Sequence, residues 1–123
     1  MFLLEHHGKE LLAQHGIPVP AGRFVQSRSD LYIGDLPDGD WMVKAQVASG
    51  GRGKSGGIRP AATYDQIIGS IDELSGEKIN GKAIKGFRVE QKIAFSHEAY
   101  LSFSIAEDGG GIRLIVSASG GID

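Results

Sequence analysis

Trp41-Met42-Val43-Lys44-Ala45-Gln46-Val47-Ala48-Ser49-Gly50-Gly51-Arg52-Gly53-Lys54-Ser55-Gly56-Gly57 is the stretch on which the reading of this chain turns. Its first seven residues alternate. Trp41, Val43, Ala45 and Val47 fall on one side and Met42, Lys44 and Gln46 on the other, the period of a strand. The strand runs into a loop with five glycines among eight residues and two cations, Arg52 and Lys54. Glycine lets backbone N–H groups turn toward an anion, because no Cβ blocks the approach or a positive φ. Arg52 and Lys54 add the charge that phosphate oxygens favour. A merely solubilising turn does not need so many glycines, each of which loses conformational entropy on ordering. The segment reads as a nucleotide-phosphate site.

Two familiar phosphate motifs match its letters and fail on context. Gly51-Arg52-Gly53-Lys54-Ser55-Gly56 satisfies G-x-G-x-x-G, but the dinucleotide fingerprint requires its last glycine to open a helix. Gly57-Ile58-Arg59-Pro60 follows instead, a poor helix start. Gly53-Lys54-Ser55 imitates the end of a Walker A loop, yet residue 48 is Ala48 where that pattern needs glycine.

Working outward, Leu4, Gly8, Leu11, Leu12 and His15 recur at helical spacing and predict an amphipathic helix over residues 3–15. Gly16 supplies a C′ glycine, Ile17 folds back, and Pro18 forbids continuation. Gly22 to Gln26 is a strand candidate, Ser29-Asp30 starts one helical turn, and Leu36-Pro37-Asp38-Gly39-Asp40 is a turn. Thr63-Tyr64-Asp65-Gln66 forms a capping box with Thr63 at N-cap and Gln66 at N3. Ile67, Ile68, Ile71 and Leu74 then make a helical stripe that ends near Ser75-Gly76. Gly69 within it costs about 1 kcal/mol against alanine, so this helix depends on packing. Three strands follow at 86–93, 97–107 and 111–117, the last two flanking Asp108-Gly109-Gly110, a hairpin signal. The expected fold is α+β, an α/β layer with helices packed on one face of a mainly antiparallel sheet. A single domain over 1–123 is expected, with no internal repeat and no linker.

Composition narrows the function. The chain has 123 residues, 41% of them apolar, and a net charge of −2. Its cations are local, which suits a small anionic ligand better than nucleic acid. There is no cysteine, hence no disulfide framework or thiolate metal site. His6, His7, His15 and His97 lack a ligand pattern, so no metal site is assigned. No run approaches membrane-spanning length, and the start Met1-Phe2-Leu3-Leu4 is too short for a signal peptide. A soluble protein of a reducing compartment is expected.

Lys44 has two readings: a stem packed on the strand with its head in solvent, or an ammonium aimed at a phosphate beside the loop. Its closeness in sequence to Gly51 favours the second. Glu90 and Glu98 are acceptor-only when ionised, so either suits a ribose diol or an exocyclic amine rather than a phosphate.

These pieces together resemble the start of the β subunit of the succinyl-CoA synthetase (succinate–CoA ligase) family, a member of the ATP-grasp superfamily. The resemblance runs from Leu4-Glu5-His6-His7-Gly8-Lys9-Glu10-Leu11-Leu12-Ala13 and Gly16-Ile17-Pro18-Val19-Pro20 through the strand and glycine loop. It returns at Val89-Glu90, His97-Glu98-Ala99-Tyr100-Leu101 and Ser117-Ala118-Ser119-Gly120-Gly121. It implies the N-terminal portion of an ATP-grasp domain that binds ATP or GTP. Lys44 would contact phosphate, and Gly51, Arg52 and Gly53 would form the phosphate-facing loop. The strand from Glu90 to Ile93 would meet the base, and Glu98 the ribose. The family reaction joins a carboxylic acid to CoA with release of nucleoside diphosphate and phosphate. Mg²⁺ ligands would come from the second half of the grasp fold. The phosphoryl-carrying histidine would come from a CoA-binding α-type partner subunit or domain. The location implied is the cytoplasm, or the mitochondrial matrix in a eukaryote.

Two positions depart from the family pattern. Ala48-Ser49 stands where a histidine-alanine pair is usual, and Ser96-His97 where an alanine-lysine pair is. The stretch between the loop and Gly86 is also short. These features point to a paralogue acting on another acid, and the chain is expected to be an inactive fragment by itself. The competing readings are a non-catalytic module that grips a polyanion or an acidic partner segment, and another ATP-grasp carboxylate ligase.

Overall fold

The computed structural model describes residues 3–36 and 38–120. The turn expected at 36–40 includes Pro37, and the terminal glycine pair includes Gly121; these two residues lie outside the described ones. The chain forms two compact units, Met1–Lys92 and Ile93–Asp123.

The first unit carries α1 (Glu5–Gln14), β1 (Gly22–Val25), β2 (Trp41–Gln46), β3 (Ile58–Ala61), α2 (Tyr64–Leu74), β4 (Lys78–Ile79), β5 (Lys82–Ala83) and β6 (Gly86–Gln91). Two short 3₁₀ turns, Arg28–Asp30 and Ile33–Asp35, lie between β1 and β2. Four strands form an antiparallel sheet in the order β1-β6-β2-β3. Strand β3 was not expected from the sequence, where Gly57-Ile58-Arg59-Pro60 read only as a poor helix start and Pro60 removes an N–H. It is an edge strand, the place where a missing N–H costs no ladder bond. Strand β6 stops at Gln91, two residues short of the expected end at Ile93. Its neighbours run out there, since Gly22 and Trp41 are the first residues of β1 and β2.

The alternation read in the sequence makes two faces of different chemistry. Val25, Val43, Ala45, Phe87 and Val89 face α2 and join Ile67, Ile71, Leu74, Ile79, Leu31 and Ala61 in the core. Burying an aliphatic side chain of this size contributes about 1.5–3 kcal/mol, which is why Gly69 is tolerated inside α2. The Thr63 hydroxyl accepts from the Gln66 N–H at 3.2 Å, as a capping box requires. The Gln66 amide oxygen reaches one residue further back than expected, to the N–H of Ala62 at 2.7 Å.

The opposite face carries Phe24, Lys44, Gln46, Arg88 and Glu90, and α1 is tied to it. Helix α1 ends as its sequence dictates: the N–H of Ile17 donates to Leu12 and that of Gly16 to Ala13, with Gly16 at φ 77°. Its expected apolar stripe is not the buried one. Leu11 and Leu12 are 44% and 43% exposed, and the helix's one buried residue is His6. Glu5, His6 and Lys9 face the sheet instead, because that face holds charges in need of counter-ions.

The second unit holds a hairpin of β7 (Tyr100–Ile105) and β8 (Ile112–Ser117), antiparallel and in register from Tyr100↔Ser117 to Ile105↔Ile112. Its turn forms where expected, with Gly109 at φ 70° and the Gly110 N–H donating to the Asp108 carboxylate at 2.8 Å. Strand β7 begins at Tyr100 rather than His97, since Ser117 is the last residue its partner offers. Leu101, Phe103, Ile105, Ile112, Leu114 and Val116 share one face of this ribbon and are exposed within it.

Candidate functional site

The register of the four-stranded sheet builds the site. Lys44 pairs with Arg88 and Met42 with Glu90 across β2 and β6, so Lys44, Arg88 and Glu90 emerge on the same face. Gly22 stands opposite Glu90 on β1. A Cβ on Gly22 would lie 2.6 Å from the Glu90 Cβ, so that glycine makes room for the glutamate.

Glu90 is 2% exposed and receives three cations. Its Oε2 takes Lys9 at 2.6 Å and the Arg88 Nε at 2.7 Å, and its Oε1 takes Lys44 at 2.5 Å. Burial alone would raise its pKa, but the hydrogen bonds from Lys44, Lys9 and Arg88 outweigh burial and hold it below the usual carboxylate range.

Glu5, from the first turn of α1, is the second node. Its Oε1 takes Lys9 at 2.8 Å and Lys44 at 2.9 Å, and its Oε2 takes the Arg52 guanidinium at 2.5 Å. Burial pushes its pKa up, while the bond from Lys9 and the charges of Lys44 and Arg52 pull it well below the ordinary value. Burial likewise lowers the Lys44 ammonium, but its bond to Glu90 and the charge of Glu5 prevail and raise it. All three balances favour the charged forms of Glu5, Lys44 and Glu90. Two carboxylates thus meet four cations, an excess of two positive charges on this face.

The glycine loop follows from the end of β2. Gly51 and Gly56 sit at φ 73° and 74°. Ser55 and Gly56 donate back to Gly51 and Gly53, and Gly57 donates to Arg52 at 2.7 Å. The Gly57 carbonyl then accepts from Ala45, which returns the chain to the ladder as β3. The Arg52 guanidinium bonds the Ala45 carbonyl at 3.1 Å as well as Glu5, so it is held under the loop while Lys54 points into solvent. The N–H groups of Arg52, Gly53 and Lys54 take no acceptor among the described residues.

A second brace comes from the stretch least informative in sequence. Asn80, at φ 50° in the β4–β5 turn, donates its amide to Gly50 O at 2.7 Å and Ser49 Oγ at 3.2 Å. Its amide oxygen accepts from Ser55 at 3.3 Å, so one side chain clasps both ends of the loop. Ile79 packs where a Cβ on Gly57 would fall.

Of the residues singled out in the sequence, Lys44, Arg52 and Glu90 come together, and Gly51 and Gly53 lie in the adjoining loop. Ile93 and Glu98 belong to the second unit. Ile93 is 46% exposed there, and Glu98 is exposed with its side chain against the place where a Cβ on Gly120 would stand. Glu5, Lys9, Arg88 and Asn80 were missed. The spacing of Glu5 and Lys9 at i and i+4, and the alternation of Arg88 and Glu90 beside Lys44 and Gln46, carried the signal. It was hidden because the leucines of α1 were taken for its inner face.

A divalent cation does not fit these residues. Both carboxylates are fully engaged by lysine and arginine, and no group of three potential metal ligands occurs among the described residues. No helix there is long and apolar enough to cross a membrane.

The family model described as ATP-grasp domain matches residues 2–123. The succinate–CoA ligase (ADP-forming) subunit beta of Methanocaldococcus jannaschii is 35% identical over 123 residues, covering 100% of this chain and 34% of that protein. The probable malate–CoA ligase subunit beta of Mesorhizobium japonicum is 32% identical, with 100% and 34% covered. The succinate–CoA ligase (ADP-forming) subunit beta of Xylella fastidiosa is 34% identical, with 97% and 33% covered. The chain spans about a third of the length of the curated relatives it matches.

Proposed function

The chain belongs to the ATP-grasp domain family, and on that premise we propose that it is the nucleotide-phosphate-binding portion of the β subunit of an NDP-forming acid–CoA ligase. One observation carries the reading. Lys44 and Arg52 converge on a single carboxylate, Glu5, next to a loop whose amides at residues 52–54 are unbonded among the described residues. Cations and open amides at that spacing suit a polyphosphate.

In the parent reaction, ATP or GTP, a carboxylic acid and CoA give acyl-CoA, nucleoside diphosphate and phosphate. An acyl phosphate and a phosphohistidine on an α-type partner are its intermediates. Succinate and malate are named for the relatives, and the departures at Ala48-Ser49 and Ser96-His97 leave the acid of this protein open to a third identity. Phosphoryl transfer depends on positioning and charge neutralisation. Here Lys44 and Arg52 place two charges on the phosphates, and Gly51 and Gly53 let the backbone approach. Glu90 is saturated by three cations, so base recognition falls to the backbone at the end of β6 toward Ile93. Glu98 accepts from the ribose hydroxyls. The described residues do not fit Mg²⁺, whose ligands are assigned to another part of the parent subunit, and no step is routed through it. The 123-residue chain by itself binds nucleotide weakly and does not turn over. Cytoplasmic location accords with the bacterial and archaeal relatives.

Calorimetric titration of the chain with ATP, GTP and inorganic triphosphate tests this. Binding is expected, and Lys44→Ala or Arg52→Ala in the parent subunit should abolish both nucleotide binding and acyl-CoA formation. A parent that binds an acidic protein segment through these residues and never binds nucleotide would overturn the proposal in favour of a non-catalytic module.

A further inference from the structure

We infer that Glu5 is an internal anion occupying the subsite that a ligand phosphate takes, and that Lys9 is the residue to which it retires. The inference rests on the nucleotide-phosphate reading and adds to it how the site is filled and emptied.

The charges divide according to the element that carries them. Glu5 and Lys9 are one turn apart on α1 and bond at 2.8 Å. Arg88 and Glu90 are two residues apart on β6 and bond at 2.7 Å. Each pair is neutral within its own element and survives any movement of that element. Lys44 and Arg52 have no such partner on the strand and loop that carry them. They are the source of the two excess positive charges, and both lean on Glu5.

A carboxylate bridging an ammonium and a guanidinium mimics one face of a phosphate: two oxygens, acceptor-only, each taking a charge-assisted hydrogen bond. Glu5 makes these bonds at 2.9 Å to Lys44 and 2.5 Å to Arg52, with its side chain 18% exposed and therefore within reach of solvent. A phosphoryl group brings more charge and a third oxygen to the same two cations. When it arrives, Glu5 gives up Lys44 and Arg52 but keeps Lys9, so no buried charge is left without a partner. Lys44 keeps Glu90 throughout. The exchange therefore avoids the penalty that usually attaches to breaking a buried ion pair. Glu5 lowers affinity for any anion at this subsite and keeps the empty loop in its bound form.

The test measures inorganic triphosphate and ATP binding by calorimetry in the 123-residue chain and in Glu5→Gln, with Glu10→Gln as the control. Glu10 is exposed on the same helix, so its substitution removes the same charge without touching the cluster. Glu5→Gln should bind triphosphate about tenfold more tightly, the scale of one charge-assisted bond no longer competed for, and Glu10→Gln should not differ from the parent chain. Hydrogen exchange of the parent chain gives an independent reading if Glu5→Gln folds poorly. Triphosphate should speed exchange in α1 while the glycine loop becomes more protected. Weaker triphosphate binding by folded Glu5→Gln, or slower exchange in α1 on binding, would overturn the inference and make Glu5 a positioning residue. Triphosphate binding tightened by Glu5→Gln, with ATP bound no better than triphosphate, upholds the subsite and removes the nucleotide reading. Failure of every form to bind either ligand removes both.

Discussion

Lys44 Nζ stands 2.5 Å from Oε1 of Glu90, a carboxylate that also receives Lys9 and Arg88. The two residues differ in what they leave behind when removed. Glu90→Ala leaves Arg88 without a carboxylate and Lys9, Lys44 and Arg52 sharing Glu5 alone on a nearly closed face, and should cost about 3–5 kcal/mol, the range for removing one partner of a buried pair. Lys44→Met leaves Glu90 with two cations and should cost clearly less. Urea unfolding of both variants checks the order, and a larger loss for Lys44→Met would show that Glu90 is not the centre of the network.

Acid should weaken the first unit in two stages. His6 stacks on Phe24 with ring centroids 3.9 Å apart. Burial, with the charges of His7 and Arg88 and against that of Glu10, holds its pKa below the ordinary 6.5. The unfolded chain takes up a proton that folded His6 resists, so stability falls as pH drops below 6.5. Glu5 and Glu90 lie below their ordinary 4.5. Their contribution is complete above that value and is lost as pH falls from it toward their folded pKa. Lys44 is raised above 10.5, so its contribution is present below that pH and disappears as pH climbs through the folded value. Thermal midpoints across this range should form a plateau between the histidine and lysine limits. His6→Phe should flatten the first acid stage alone; a midpoint that rises on acidification from 6.5 to 4.5 would contradict the assignment.

Two glycines should respond in opposite directions to alanine. A Cβ on Gly69 meets nothing within 4 Å in the middle of α2, so Gly69→Ala should stabilise by about 0.5–1 kcal/mol through helix propensity. A Cβ on Gly22 would overlap the Glu90 Cβ and the Val89 carbonyl, so Gly22→Ala should force β1 from β6 and destabilise by about 1–3 kcal/mol. Differential scanning calorimetry of the pair gives both signs in one experiment.

Asn80 should govern the order of the glycine loop rather than the stability of the fold. Asn80→Ala removes the clasp on Gly50, Ser49 and Ser55. Amide exchange at 50–56 should accelerate several-fold, while α2 and β6 stay as they were. Asn80→Gly separates the clasp from the backbone, since glycine accepts φ 50° freely. If Asn80→Gly protects the loop as well as asparagine does, the amide bonds are not what holds it.

Much of this architecture is written locally. The alternation of residues 41–47, the stripe of α2, the Gly16 terminus and the Asp108-Gly109-Gly110 turn depend on contacts within a few residues, and each formed where periodicity and turn chemistry put it. Strand β3 and the β4–β5 turn were illegible because strands of four and two residues are too short to show a period. The site was legible in part: Lys44, Arg52 and Glu90 converge, while Glu5 and Lys9 lie 39 residues or more from the sheet and loop residues they hold, and Asn80 lies 25 or more from its partners.

From residue order alone came the strand, its glycine loop and the kind of ligand that cations and open amides suit. Packing settled which face of α1 turns inward. Leaving Leu11 and Leu12 half exposed forgoes about 1.5–3 kcal/mol apiece at most. Without α1, Lys44 and Arg88 would share the single carboxylate of Glu90 and Arg52 would have none, and each cation left over on a covered face would cost several kcal/mol. The larger penalty wins, so Glu5 and Lys9 face the sheet, and a helix that resembles an apolar amphipath in sequence becomes the charged wall of the site.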